Sequence, residues 1–248
     1  MSEFPEGVSA EKTFRGLLGN GVLAIWNGIA PDVESEFNAW YTHQHVPERV
    51  GTPGFLRARR YLALEPDRDP DRRYFCLYET ESLETLTSPP YLKRLDNPSD
   101  WTGKIVPLFL NGNRTACRVT TSLGQGTGGL AAALELGPEA GRDAELRDWL
   151  TGEALPALLK RPEVVGAHLC ESDAETTRAK DQTEESRGAG FSEALARWVL
   201  VVEAIFEPGL DEAQHALCGP SGLVAHGATP DVSFTRYRLL YGLEGAPA

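Results

Sequence analysis

Close cysteine pairs are missing from this sequence: Cys76, Cys117, Cys170 and Cys218 lie far apart and form no CxxC or other metal-type spacing. That excludes a local zinc knuckle and leaves reduced thiols, so a cytoplasmic setting is expected. Long basic runs are missing as well, and the formal net charge is −12. Such an acidic surplus repels phosphate backbones and anionic lipid, so neither nucleic acid nor a membrane is expected as a partner. No apolar stretch approaches the roughly 18 residues of a membrane-spanning helix. The opening residues, MSEFPEGVSAEKTF, hold no apolar core of a secretory signal. A GxGxxG at 124–129 opens onto the strand-like run 130–136 and no helix, and the phosphate-binding GxxxxGK pattern, GxSxG and HExxH are absent. Dinucleotide-dependent redox, phosphoryl transfer and serine-hydrolase chemistry therefore find no support.

What is present is a globular composition, 41% hydrophobic and 24% charged, enough for one large domain or two small ones. Its organisation emerges when the sequence is slid along itself. At an offset of 109, WYTHQHVPERVGTPGFLRARRY (40–61) falls on WLTGEALPALLKRPEVVGAHLC (149–170) without a gap. Trp40/Trp149, Thr42/Thr151, Pro47/Pro156, Pro53/Pro162 and Ala58/Ala167 coincide. Further on, YFCLYET (74–80) matches WVLVVEA (198–204) at an offset of 124, with Glu79 on Glu203. The second copy therefore carries about 15 extra residues. They fall in the polar stretch 171–190, which reads as a solvent-exposed loop or short helix.

Each copy reads as β-α-β-β-α-β. In the first, 21–28, 55–64, 74–80 and 114–120 are strand-like. A helix is expected over 33–46, capped by Asp32 and ending near Pro47, and another over 82–95, broken at Pro89-Pro90. The second copy repeats the order at 130–136, 143–155, 164–170, 198–204, 211–217 and 233–241. The expected fold class is α+β: two ferredoxin-like repeats packed sheet to sheet as a barrel within one chain. Packing the sheets together buries faces that either copy alone would leave bare. The expected domains are 18–120, a flexible linker at 121–129, and 130–243 with the insertion at 171–190.

The segments FNAWYTHQHVPERVGTPGFLRARRY and FCLYETESLETLTSPPYLKRLDNPSDW resemble the EthD-like branch of the dimeric α+β barrel superfamily. The shared pattern is W-Y-x-x-E-H-x-P-E-R, then P-G-F and an Arg/Tyr-rich strand. The resemblance covers most of the first copy and only the fold-determining positions of the second. It implies cofactor-free monooxygenases, polyketide cyclases, muconolactone-type isomerases or haem-dependent enzymes. The family's histidine falls on His45. Gln44 stands where the pattern has Glu, and His43 adds a second imidazole.

His43 and His45 correspond to Gly152 and Ala154, so only one copy carries imidazoles. Histidine titrates near neutral pH and moves protons, which makes His45 and His43 the candidate catalytic pair. Arg57, Arg59 and Tyr61 alternate onto one face of their strand, toward the space between the sheets. There, Arg59 and Tyr61 would stabilise an oxyanion and Arg57 would bind substrate. Trp40, Tyr41 and Glu79 are further substrate-binding candidates, although a carboxylate kept in both copies also suits pairing with a strand arginine. No metal is expected, because His-x-His splays its rings apart on a helix and no third ligand lies nearby.

The expected activity is isomerase, cyclase or lyase chemistry on an apolar or aromatic carbonyl compound, with a small-molecule substrate, no cofactor and a possible homodimer of the fused unit. Two alternatives stand beside it. One is a cofactor-free or haem-dependent oxygenase, with His45, His168 or His215 as axial ligand. The other is a non-catalytic protein holding a hydrophobic metabolite.

Overall fold

The computed structural model describes residues 16–187 and 197–245. Eight strands form: β1 (Gly21–Ile29), β2 (Phe55–Ala63), β3 (Tyr74–Thr80), β4 (Phe109–Gly124), β5 (Leu130–Leu136), β6 (Val164–Ser172), β7 (Trp198–Ala204) and β8 (Ser233–Glu244). They close into a barrel in the order β1-β3-β2-β8-β5-β7-β6-β4, every pair antiparallel. Strands β1 and β3 read as unbroken apolar runs because one side faces the barrel and the other faces helices, and every residue of both is buried.

Within residues up to Gly124 the strand order is β4-β1-β3-β2, and in the rest it is β8-β5-β7-β6. The two groups join where β2 pairs with β8 and β4 with β6. Strands β2 and β6 start 109 residues apart, and β3 and β7 start 124 apart. Three apolar clusters result. One fills the barrel; each of the other two lies between the outer face of one strand group and its helices.

Helix α1 (Glu34–Trp40) runs through a π-helical turn, Tyr41–His45, into α2 (Val46–Val50). In the second half, α5 (Asp143–Trp149), a π-helical turn at Leu150–Ala154 and α6 (Leu155–Leu158) repeat this at the same offset of 109. The expected stop at Pro47 does not occur. Val46 N–H reaches back five residues to Tyr41 O, and the widened turn carries the helix past a residue with no N–H of its own. The residue before α1 is Val33, with no side-chain cap; Asp32 does not fill that role.

The helix expected over 82–95 is a 3-10 turn, Leu83–Thr87, followed by α3 (Pro89–Leu95), whose first turn holds both prolines where missing N–H groups cost nothing. An unanticipated α4 (Asp100–Ile105) is capped by Ser99 Oγ, which accepts from Thr102 N–H. Strand β4 is longer than expected. It takes up 121–124 of the segment read as a flexible linker, and Ser122, Leu123 and Gly124 pair with His168, Ala167 and Gly166. The remainder is tied down by Gln125 N–H to Val165 O and Gly128 N–H to Glu203.

The stretch 171–190 forms α7 (Ala174–Arg178), a 3-10 turn at Ala179–Gln182 and α8 (Glu184–Arg187), and the part beyond 187 lies outside the described residues. Its described part is exposed on one side only. It folds back onto the first half, where Thr177 Oγ1 accepts from Ala116 N–H, and Thr176, Lys180 and Thr183 are buried. Helix α9 (Glu207–Cys218) completes the second half. Among the described residues no helix is long and apolar enough to cross a membrane.

Candidate active site

The inward row of β2 is taken up by ion pairs. Arg57 grips Glu79 in two parallel bonds of 2.8 Å, and Arg59 bridges Glu79 at 3.0 Å and Glu203 at 2.6 Å. Glu203 also contacts His168 Nε2 at 3.1 Å, while His168 Nδ1 meets Ser122 Oγ at 3.0 Å. Space for that imidazole exists because Gly166 stands where the first half has Arg57: a Cβ there would sit 2.9 Å from His168 Nε2. Burial alone would raise the Glu203 carboxyl, but Arg59 and His168 outweigh it and hold it to about 2. Residues 16–18 seal this end, with Arg57 donating to Gly16 O and Leu18 N–H to Glu79. Deeper in, Trp26, Phe75, Tyr61 and Tyr237 stack at 4.8 to 5.6 Å between neighbouring rings.

One pocket lies on the other face of the sheet. An enclosed void of about 20 Å3 is bounded by Leu23, Ile25, Tyr78 and Arg114 from the strands, His45 and Arg49 from the helix, Tyr91 from α3, and Lys180, Glu185 and Ser186 from the insertion. The π turn sets the histidine. It presents His45 inward, 5% exposed, while His43 two residues earlier points to solvent. The His45 ring lies 4.2 Å from Trp40 and 5.0 Å from Tyr41, with Trp40 Nε1–H anchored on Thr102. Its Nδ1 is buried with no hydrogen-bond partner among the described residues. Burial, then Arg49 and Arg60, push His45 well below the usual histidine value, so the imidazole is neutral at neutral pH.

Two guanidinium groups line the same void. Arg49, one helical turn after His45, is ion-paired with Glu185 across to the insertion. Arg114 is 7% exposed and donates to Thr177 O and Tyr91 Oη, both neutral acceptors. Burial, then Arg114, bring the Lys180 ammonium down to about 7, while Asp181 and Glu185 act the other way. Neutral imidazole and buried cations suit an anion forming beside a neutral base, while the void as it stands has room for about one water molecule.

Of the sequence-predicted residues, only His45 lines this pocket. Arg57, Arg59, Tyr61 and Glu79 lie inside the barrel, Trp40 and Tyr41 are core behind the imidazole, and His43 is on the surface. The expectation that Arg59 or Tyr61 works on the same substrate atom as His45 is therefore corrected: a sheet stands between them. Arg49 was missed although it shares a helix face with His45 at i, i+4. Arg114 sits two residues from Ala116 on the helix-facing side of β4. Lys180 and Glu185 had no signal, because a polar insertion gives no sign of what it touches.

A haem does not fit these residues. A ligating imidazole is normally oriented by an acceptor on its second nitrogen, and Gln44 replaces the pattern's carboxylate beside His45 while Glu185 is committed to Arg49. Both nitrogens of His168 are engaged, and His215 is exposed on α9. Among the described residues, no three His, Cys, Asp or Glu side chains are grouped to hold a metal.

Neither a protein-family model nor a curated protein matches this sequence. Solved structures do match. An anthrone oxidase-like protein superimposes with a TM-score of 0.62 at 10% identity, over 92% of this chain and 93% of that one. A candidate monooxygenase from Fusobacterium nucleatum subsp. nucleatum gives 0.59 at 10% identity, over 92% and 96%. One from Lactobacillus acidophilus gives 0.56 at 7% identity, over 92% and 98%. At such identities the likeness shows a shared fold and nothing finer. The isomerase, cyclase or lyase expectation is overturned: the structures that share this architecture are named for oxidase and monooxygenase activity, and the oxyanion groups that reading required lie inside the barrel.

Proposed function

We propose that the protein is a cofactor-free oxygenase acting on an aromatic ketone or phenol with an acidic C–H bond, of which anthrone is the simplest example. The carrying observation is the buried, neutral His45, whose Nδ1 has no partner among the described residues and whose ring lines one void with Arg49 and Arg114. The names of the structural neighbours support the reaction class.

His45 takes the proton from carbon, and Arg114 and Arg49 stabilise the anion that forms. The electron-rich anion itself reduces dioxygen. The methylene carbon gives up four electrons to O2, one oxygen becoming the new carbonyl and the other leaving as water with the two methylene hydrogens. No electron donor beyond the substrate is required. The walls formed by Tyr78, Tyr91 and Phe109 keep bulk water from the anion. A ligand of this kind needs a pocket of several hundred Å3, so the insertion must lift to admit it.

Three finer readings belong with this proposal. The halves are two ferredoxin-like repeats, 18–120 and 130–243, of EthD-like type, supported by the shared strand order and the two π turns at one offset. The partner is a small molecule; because the barrel closes within one chain, a homodimer is not needed to complete it. A cytoplasmic setting agrees with the free thiols of Cys76, Cys117, Cys170 and Cys218.

The test is oxygen uptake with anthrone in the presence of a chelator. One O2 consumed per anthraquinone formed, with no Soret band in the protein, is the expected result. No uptake, or uptake only after haemin is added, contradicts it.

A further inference from the structure

We propose that the void beneath the insertion is a binding site for one small halide ion, chloride or bromide, held by Arg114 and Arg49. Such a site does not depend on the oxygenase reading. It is filled with the insertion in place, whatever substrate follows.

The void suits a single small ion. It measures about 20 Å3, and roughly 10 to 15 Å3 of such space already takes a water-sized occupant. Chloride and bromide are little larger than water, whereas sulfate, acetate and larger anions are excluded. Entry requires only a local opening of the kind that lets buried water exchange.

The wall carries surplus positive charge. Arg114, on β4, is 7% exposed and donates to two neutral acceptors, Thr177 O at 3.2 Å and Tyr91 Oη at 3.3 Å. Arg49 is buried and paired with Glu185, the only carboxylate among the described residues that line the void. Two guanidinium groups thus share one carboxylate, even with Lys180 set aside. A buried, unmatched guanidinium is costly, and an anion beside it recovers part of that cost.

Donors also outnumber acceptors, which separates a halide from water. A buried water needs partners that accept as well as partners that donate. Guanidinium groups only donate, and Glu185 is committed to Arg49. The side chains of Leu23, Ile25, Leu95, Val106 and Phe109, which complete much of the wall, do neither. Tyr78 lines the void as well, and its buried hydroxyl has no partner among the described residues. A halide accepts from every side, so a donor-rich wall satisfies it and leaves a water with protons to spare.

Two measurements on the full chain test the site. Crystals soaked in sodium bromide are expected to show a bromine anomalous peak inside the void, in contact with both guanidinium groups. In solution, sodium bromide and sodium chloride are expected to raise the thermal midpoint by about 3 °C over sodium gluconate at equal concentration. Arg114→Met removes the unmatched charge and is expected to lose this difference between anions; Arg114→Lys is expected to keep part of it. Bromide peaks on the surface alone, with water or nothing in the void, overturn the proposal. So does an anion difference of the same size in the unaltered protein and in Arg114→Met. The diffraction measurement needs no variant, so it decides the matter even where Arg114→Met fails to fold. Oxygen uptake with anthrone is read separately: its failure removes the oxygenase reading and leaves the halide site standing.

Discussion

Arg59 and Arg60 are adjacent in sequence and meet opposite surroundings. Arg59 points into the barrel and holds Glu79 and Glu203. Arg60 points to the helices, where its guanidinium lies 4.8, 4.4 and 4.7 Å from the rings of Phe37, Tyr41 and Tyr74, and donates to Asn38. Alternation along the strand decides which charge is matched by carboxylates and which by aromatic faces. Glu203→Ala leaves Arg59 short of a buried partner, and should cost about 3 to 5 kcal/mol in chemical denaturation. The contribution has a pH signature. Glu203 is held to about 2 against an ordinary 4.5, so its stabilisation is complete above 4.5 and fades as pH falls from there toward 2. The variant and the parent should therefore converge across that acid window; a constant difference would contradict the assignment. At the pocket, kcat/KM should fall on the acid side well below the usual histidine range, as the buried His45 protonates.

At the scale of elements, the pieces set by apolar pattern were legible and the pieces set by polar contacts were not. Strands β2 and β6 follow from alternation and from the self-match of the sequence, and β3 and β7 from their dense apolar runs. The π turn at Tyr41–His45 has no compositional sign, since it differs from an α-turn only in one backbone bond. The insertion read as solvated because it has few large apolar residues. It docks through Arg49–Glu185, Arg114 to Thr177 O, and Thr177 Oγ1 to Ala116 N–H. The same contacts make it a cover held by a polar latch. Glu185→Gln should release it: amide exchange in 174–187 should quicken several-fold while the barrel strands keep their protection. Unchanged exchange in that segment would show that the ion pair does not hold the cover down.

For the whole molecule, the closed barrel makes the halves interdependent. Each half contributes an edge to the other, β2 to β8 and β6 to β4, so neither sheet can open alone. Tryptophan fluorescence, reporting from Trp26 and Trp40 in one half and Trp149 and Trp198 in the other, should trace the same single unfolding transition as far-UV circular dichroism. Two separated midpoints would mean that the halves fold independently. The barrel interior is filled by stacked rings and paired charges, so the proposed reaction is assigned to the outer face, beneath the insertion. The most direct test is kcat/KM for anthrone oxygenation in His45→Ala and Tyr61→Phe measured side by side. The hydroxyl of Tyr61 has no partner among the described residues, so its removal should leave both folding and turnover within about twofold. His45→Ala should lower turnover about 100-fold or more. Normal turnover in the His45 variant together with a collapse in the Tyr61 variant would move the reaction into the barrel and contradict the account.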